Sequence, residues 1–167
     1  MPLTQLLPSD VEALAKRVVE QNKALGRTVA VAESCTGGLV AGAITEIAGS
    51  SAVLDRGFVT YSNEAKIDSL GVPSEIIETF GAVSIACVWA MAKGALDRSN
   101  ADVAVAISGI AGPDGGTELK PVGTVVFAKV LRGEDGEPDG EMKVFDGGGR
   151  AEVRHQAVLC ALELLLP

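Results

Sequence analysis

Glu33–Gly38 (ESCTGG) is a short polar segment between two apolar stretches, and it carries two candidate nucleophiles. The apolar run before it predicts a buried strand, and the pattern after it predicts a helix. Ligands of open α/β sheets bind beyond the carboxyl ends of the strands, where the first N–H groups of a helix can hold an anion. Ser34 or Cys35 could therefore attack a carbonyl group beside donors that stabilise the resulting oxyanion. The alternative is a plain corner in which Ser34 or Thr36 caps the helix and Cys35 is packed.

A second polar segment, Thr60–Lys66 (TYSNEAK), follows the next predicted strand. Ser62 and Lys66 are four residues apart, so they share one face of the predicted helix. Helical side chains lean towards the N-terminus, which places the Lys66 amine near Tyr61 and the strand end. A desolvated lysine can be neutral and act as a general base, and a tyrosine can relay a proton. The alternative is a solvated surface lysine paired with a neighbouring acidic residue.

The third segment, Ser108–Gly116 (SGIAGPDGG), is a glycine-rich stretch after another buried-looking strand. It matches neither the dinucleotide-binding pattern GxGxxG nor the P-loop pattern GxxxxGK[ST]. Its glycines still allow the backbone to approach a ligand closely, although a turn-rich crossover would use the same residues. If the sheet is mostly parallel, the three polar strand ends meet at one edge. That convergence predicts a small-molecule site.

Histidine and metal chemistry receive little support from the sequence. His155 is the only histidine, and it lies inside the pattern of the C-terminal amphipathic helix. A Ser-His-Asp triad would have to recruit it from there, so a hydrolase on this scaffold needs another base, for which Lys66 is best placed. The chain has no HExxH sequence, no Cys/His ligand set and no acidic cluster with ligand spacing. We therefore expect no metal and no cofactor.

The elements that position these segments follow the order of an α/β sandwich. Ser9 or Asp10 is expected to cap the first helix, and Gly26 to end it. The remaining helices are predicted over 38–47, 62–70, 73–80, 84–98 and 150–166, and the strands over 28–32, 52–61, 102–107, 122–131 and 142–145. The second strand should begin irregularly, the last two should form an antiparallel hairpin, and the acidic segment 133–140 should be an exposed loop. Continuous apolar strands indicate a sheet covered on both faces.

The composition predicts a single domain over residues 1–167 with an aliphatic core, because 47% of the residues are hydrophobic and only 4% aromatic. A net charge of −8 argues against nucleic-acid and anionic-membrane partners, but a local pocket could still bind a small anion. The three cysteines form no CxxC pair, and neither a signal peptide nor a membrane-length apolar run is present. We therefore expect a soluble, cytoplasmic protein with reduced thiols.

Five stretches together resemble the CinA C-terminal domain family: AESCTGG, GSSAVLDRGFVTYSNEAK, GAVS, SGIAGPDGG and KPVGTV. The resemblance spans essentially the whole chain. It implies a three-layer α/β/α sandwich with a mixed, mostly parallel sheet of about five strands. It also implies hydrolysis of the carboxamide of nicotinamide mononucleotide to nicotinic acid mononucleotide and ammonia, without a metal. The chain resembles the stand-alone form, in which the N-terminal molybdopterin-binding-like domain of full-length CinA proteins is expected to be absent.

When the site residues of the family are carried over at the matching motifs, the resemblance implies that Ser34 is the nucleophile, Lys66 the general base and Tyr61 an assisting residue. The implied substrate-binding residues are Glu33, Cys35, Thr36, Gly37, Gly38, Ser108, Gly109, Gly112, Gly115 and Gly116, of which Thr36, Gly37 and Gly38 would line the oxyanion site. An acidic protein needs local cations for the substrate phosphate, and Arg56 and Lys120 are the candidates.

The chain departs from the family pattern at three places. Ser108 stands where the family usually has threonine, Ile85 follows GAVS where glutamate is usual, and Gly147–Arg150 (GGGR) replaces a usual GDR, which could place Arg150 differently. Two other functions stay open: a non-catalytic nucleotide-binding, competence- or damage-linked accessory protein, and an assembly domain. We also expect the protein to form a homo-oligomer, either a dimer or a larger assembly.

Overall fold

The computed structural model of the chain describes residues 1–136 and 139–167. Within these ranges it contains six α-helices, five strands and one short 3₁₀ turn at Ser50–Ala52. The helices are α1 Ser9–Ala24, α2 Leu39–Thr45, α3 Asn63–Leu70, α4 Ser74–Phe80, α5 Ile85–Asp97 and α6 Gly149–Leu164. The strands are β1 Val29–Glu33, β2 Leu54–Val59, β3 Val103–Gly109, β4 Thr124–Leu131 and β5 Asp139–Val144.

The five strands form one mixed sheet in the order β2-β1-β3-β4-β5. β1 is parallel to both β2 and β3, whereas β4 is antiparallel to β3 and β5. Four strands therefore share one direction, which confirms the mixed, mostly parallel sheet and the terminal hairpin. The pairing of β1 with β2 shifts register between Val29 and Ala30, so the irregular start predicted for the second strand is also confirmed. The carboxyl ends of β1, β2 and β3 lie at the same edge.

Alternating valine and alanine residues give the sheet two different apolar faces. In the VAVA segments of β1 and β3, the valines join one buried cluster with residues of α1, α2 and α6. The alanines join a second cluster with α5 and the end of α3. Side chains of a strand point alternately to opposite faces, and both faces are apolar here, so helices cover the sheet on both sides. This confirms the α/β/α sandwich.

The contact between α5 and α3 depends on Gly94, because a methyl group there would overlap the backbone carbonyl of Leu70. We expect Gly94→Ala to lower the free energy of unfolding by about 1–3 kcal/mol, measured by urea denaturation, since neither backbone can move without disturbing the core. Gly42→Ala in the exposed part of α2 is the control, because no atom lies within 4 Å of the added methyl group. There the better helix propensity of alanine should stabilise the protein slightly. Equal effects of the two substitutions would contradict this account.

Two details of the elements differ from the expectations. α1 begins at Ser9 with Pro8 as its N-cap and no side-chain cap, so the capping role predicted for Ser9 or Asp10 is wrong. β5 begins at Asp139, which pairs with Lys129, so the end of the predicted acidic loop belongs to a strand. Residues 133–136 of that loop are exposed, and 137–138 lie outside the described residues. In the described ranges, no helix is both long enough and apolar enough to span a membrane.

Candidate active site

Ser34 is the first residue beyond β1, at the shared carboxyl edge of the parallel strands. Its N–H donates to the carbonyl of Ile107 at 3.0 Å, which continues the pairing of Glu33 with Ile107 between β1 and β3. The same register sets Ser34 beside Ser108 at the end of β3, and both serines are buried. Two of the three polar segments identified in the sequence thus meet here.

Lys66 brings the second polar segment to the same place. The hydroxyl of Ser62 accepts the N–H of Ala65 at 3.0 Å and so fixes the start of α3, from which Lys66 extends back to the strand ends. The Nζ atom of Lys66 lies 3.0 Å from Ser34 Oγ. Only 1% of Lys66 is exposed. The alternative of a solvated surface lysine is therefore wrong.

The surroundings of Lys66 make its ammonium group easier to deprotonate than that of an exposed lysine. Burial lowers the pKa of Lys66 below its usual value, and the nearby thiols of Cys87 and Cys35 oppose this only in part. Nζ donates to the carbonyls of Thr60 at 2.9 Å and Tyr61 at 3.0 Å. A neutral amine has two N–H groups, so these carbonyls use both. The lone pair is then left to accept the hydroxyl proton of Ser34.

Cys35 has the wrong chemistry for a nucleophile in this structure. Its side chain is buried, and burial raises the pKa of the thiol to about 11. At pH 7 only about one thiol in ten thousand would then be ionised, and the thiolate is the reactive form. A methyl group on Gly109 would lie 3.1 Å from Sγ, so the sulfur packs against the β3 backbone. Of the two candidates left open by the sequence, the structure favours Ser34.

Glu33 caps α2 from inside the protein. Its Oε1 atom accepts bonds from the Thr36 hydroxyl at 2.6 Å and from the N–H groups of Gly38 and Val40 at 3.2 and 3.0 Å. Oε2 accepts the N–H of Ala41 at 3.0 Å, and the residue is fully buried. The expectation that free N–H groups of this helix face a ligand is therefore wrong, because a carboxylate of the chain already occupies them. Neither Ser34 nor Thr36 caps the helix.

Glu33→Gln is expected to destabilise the fold by about 2–3 kcal/mol, since it removes charge-assisted hydrogen bonds and turns an NH₂ group towards N–H donors. The change would be measured as a shift of the urea midpoint at constant m-value. Glu20→Gln on the exposed face of α1 provides the matched control, because its carboxylate makes no closer ion pair than 3.9 Å. If both variants unfold at the same urea concentration, the cap does not hold α2 as described.

The amides that remain for an oxyanion begin one residue earlier in the chain than the resemblance implied, at Cys35 instead of Thr36. The N–H of Gly37 donates to the Ser34 carbonyl at 3.0 Å, and that of Gly38 donates to Glu33. In the part of the chain that the structure describes, the N–H groups of Cys35 and Thr36 have no acceptor from another residue. These two amides directly follow the nucleophile candidate and are free to donate to an oxyanion.

Two arginines of α6 join the segments around the site. Arg150 donates to the Gly112 carbonyl at 2.7 Å and to the Tyr61 hydroxyl at 3.3 Å, whereas Arg154 donates to the Cys35 carbonyl at 3.1 Å. Arg154 is not among the residues predicted from the sequence, and Arg150 is predicted there only as a departure from the family pattern. Their four-residue spacing on a helix was the available signal, because it puts both on one face. Arg150 reaches the site although three glycines with positive φ precede it.

The other predicted residues differ in how they contact Ser34 and Lys66. The Tyr61 ring is exposed, and its hydroxyl contacts Arg150, while its carbonyl contacts Lys66. Gly112 leaves no room for a side chain beside Val122. Gly115 and Gly116 are exposed further along the same loop, and among the described contacts none joins them to Ser34 or Lys66.

The remaining basic residues considered from the sequence lie in three different parts of the fold: Arg56, His155 and Lys120. Arg56 pairs with Asp55 and donates to the carbonyl of Arg98, near the amino end of β3, so its predicted role in phosphate binding is wrong. His155 contacts Asp10 at 3.0 Å between α6 and α1. Lys120 donates to the carbonyl of Phe80 at 2.8 Å. The described residues include no group of three or more His, Cys, Asp or Glu side chains suited to a metal ion.

Comparison with known proteins places the chain among close relatives. The CinA C-terminal domain matches residues 11–167. Nicotinamide-nucleotide amidohydrolase PncC of Escherichia coli K12 is 54% identical over 94% of this chain and 93% of its own length. A competence-damage inducible protein of Symbiobacterium thermophilum is 52% identical over 96% of this chain, which spans 39% of that longer relative.

Solved crystal structures of related proteins have the same fold as this chain. The crystal structure of the competence/damage inducible protein CihA of Agrobacterium tumefaciens superposes with a TM-score of 0.92 at 53% identity, covering 97% of both chains. A CinA superfamily protein of Klebsiella pneumoniae superposes with a TM-score of 0.86 at 41% identity, covering 93% of this chain and 94% of its own. The chain therefore belongs to the CinA C-terminal domain family.

Proposed function

We propose that this chain is an amidohydrolase that converts nicotinamide mononucleotide to nicotinic acid mononucleotide and ammonia, with Ser34 as nucleophile and Lys66 as general base. The observation that carries the proposal is the 3.0 Å contact between a buried lysine amine and a buried serine hydroxyl at the edge where the strands end. The name of the E. coli relative, a nicotinamide-nucleotide amidohydrolase 54% identical to this chain, supports the substrate.

In the first step, Ser34 Oγ attacks the carboxamide carbon while its proton passes to the neutral Lys66 amine. Serine is a weak nucleophile at its ordinary pKa, so it needs an adjacent base. The lowered pKa of Lys66 supplies a base that is deprotonated nearer to neutral pH than an exposed lysine. The positive pyridinium ring of the substrate withdraws electrons from the carboxamide and makes its carbon more electrophilic.

The tetrahedral intermediate carries negative charge on the former carbonyl oxygen. The N–H groups of Cys35 and Thr36 are the donors that remain for it, and one well-aimed donor can contribute about 3–4 kcal/mol to the transition state. Glu33 supports them indirectly, because its carboxylate fixes the start of α2 immediately beyond.

Collapse of the intermediate breaks the C–N bond. Lys66, protonated in the first step, gives its proton to the departing nitrogen, so ammonia leaves and an ester on Ser34 remains. A water molecule then loses a proton to the neutral Lys66 amine and attacks the ester. The carboxylate product is released and Ser34 regains its proton. One lysine thus acts alternately as base and acid.

The rim of the site suits a nucleotide with several polar groups. Tyr61, Arg150 and the carbonyl of Gly112 form a connected edge beside the serine, and Tyr61 presents an exposed ring. We propose that this edge positions the substrate and that Tyr61 assists in this way rather than by direct proton transfer. We also propose that the protein acts in the cytoplasm as a homo-oligomer on a small-molecule substrate, without nucleic-acid or membrane partners.

The competing function is a nucleotide-binding accessory protein without catalysis, which the competence- and damage-related names of several relatives suggest. Such a module has no use for a lysine that is buried against a serine hydroxyl, because taking an amine out of water costs free energy even when carbonyl groups accept its bonds. Incubation of the purified protein with nicotinamide mononucleotide separates the two. The proposal expects equal amounts of ammonia and nicotinic acid mononucleotide. Binding of the mononucleotide in calorimetry without release of ammonia would favour the accessory function.

A further inference from the structure

Lys120 lies in the loop between β3 and β4, and its ammonium group is only partly occupied by contacts with the protein. The turn that carries it is fixed by two bonds, from Thr117 N–H to the Lys120 carbonyl at 2.8 Å and from Lys120 N–H to Thr117 Oγ1 at 3.0 Å. Nζ donates to the Phe80 carbonyl at 2.8 Å. Across 1–136 and 139–167 the half-buried ammonium forms no ion pair with a carboxylate. Two of its three N–H groups therefore remain available.

This ammonium group lies at the same edge of the sheet as Ser34, because β4 is antiparallel to β3 and begins at Thr124, shortly after Lys120, with Val125 paired opposite Gly109. Burial raises the pKa of the Cys87 thiol in the first turn of α5, and the charges of both Lys66 and Lys120 oppose that rise. Both amines are therefore near enough to this thiol for their charges to act on it. The loop that carries Lys120 also starts at the carboxyl end of β3, next to Ser34.

The other cations near this edge already have protein acceptors. Arg150 and Arg154 donate to carbonyl groups of the chain and to a tyrosine hydroxyl, and Arg56 lies near the opposite edge. In a chain with a net charge of −8, an anionic group on a substrate needs a local cation. Lys120 instead keeps two donors of a compact ammonium group free for such an anion.

We propose that Lys120 binds the phosphate of the mononucleotide and so makes the enzyme select nucleotides over nucleosides. The inference rests on the proposed function, because the phosphate is recognised while the carboxamide faces Ser34. The ammonium acts as a point charge at the mouth of the site and takes no part in bond cleavage. Its bond to Phe80 holds it in place before the substrate arrives.

The test compares nicotinamide mononucleotide with nicotinamide riboside, which lacks only the phosphate. Lys120→Met should lower kcat/KM for the mononucleotide by roughly 10- to 100-fold, because this is the usual effect of a lost charge-assisted bond. The value of kcat/KM for the riboside should not change. Lys120→Arg should retain most of the preference because it keeps the charge. Lys16→Met is the control, since that lysine is exposed on α1 and pairs only loosely with Glu20 at 3.9 Å.

An equal loss for both substrates would overturn the inference, because it would show that Lys120 only supports the loop. No loss for either would overturn it as well. Failure of the proposed function is a separate result, since the unmodified protein would then release no ammonia from either compound. In that event, calorimetry measures binding of the mononucleotide to Ser34→Ala and to Ser34→Ala/Lys120→Met. This comparison still tests the role of Lys120. Weaker binding of the mononucleotide alone in the double variant supports it, and equal binding by the two proteins overturns it.

Discussion

Ser34→Ala is expected to reduce the release of ammonia from nicotinamide mononucleotide by roughly 10³-fold or more, because it removes the hydroxyl that lies 3.0 Å from Lys66 Nζ. The folded structure should be retained, since alanine fits the same backbone and the change removes only the hydroxyl that contacts Lys66 Nζ. The measurement is kcat at saturating substrate by a coupled ammonia assay, with circular dichroism to check the fold.

Cys35→Ala is the matched control for the serine, because the two residues are adjacent. Its thiol is buried against Gly109 and has a pKa of about 11, so its loss should leave kcat within a few fold of the unmodified protein. The opposite pattern, with activity retained in Ser34→Ala and lost in Cys35→Ala, would transfer the nucleophile to Cys35.

Lys66→Met should lower kcat by roughly 10²- to 10⁴-fold, the range supplied by a general base. Methionine has a similar length and no charge, so it can fill the space of the buried chain. The folded protein should lose little stability at neutral pH, because the relief of burying this amine offsets the loss of its bonds to the Thr60 and Tyr61 carbonyls. Lys66→Arg provides the second comparison, since arginine keeps a positive charge but cannot accept a proton near neutral pH.

The pH dependence of the reaction follows from the same lysine. Its pKa in the folded protein lies below the usual value of 10.5, so the unfolded chain binds more protons over the interval between them. Stability contributed by this group should therefore rise with pH across that interval. kcat/KM should rise with pH until the lowered pKa of Lys66 is passed, because only the neutral amine is a base. An activity that falls as pH rises towards that value would contradict this assignment.

The meeting of Ser34 and Lys66 could be predicted from sequence because it depends on regular features. The VAVA pattern of β1 and β3 indicates a covered sheet, and parallel strands bring their carboxyl ends to one edge. The lean of helical side chains then carries Lys66 back to that edge. Each step uses a period or a direction that is fixed by backbone geometry.

The role of Glu33 could not be predicted in this way. Its carboxylate reaches amides five to eight residues later, and the bonds exist only because Gly38 takes a left-handed conformation that turns the chain back on itself. No local pattern distinguishes such a buried cap from an acidic residue in a substrate pocket. The contacts of Arg150 and Arg154 join positions far apart in the chain, so they depend on how α6 packs against the sheet.

The most direct test of the account is to locate the covalent intermediate. The protein would be mixed with nicotinamide mononucleotide, quenched in acid within milliseconds, digested and analysed by mass spectrometry with fragmentation across positions 33–36. The account predicts the acyl group of the mononucleotide as an ester on the Ser34 oxygen, absent from Ser34→Ala and formed far more slowly in Lys66→Met. An acyl group on the Cys35 sulfur, or a burst of ammonia while Ser34 stays unmodified, would contradict it.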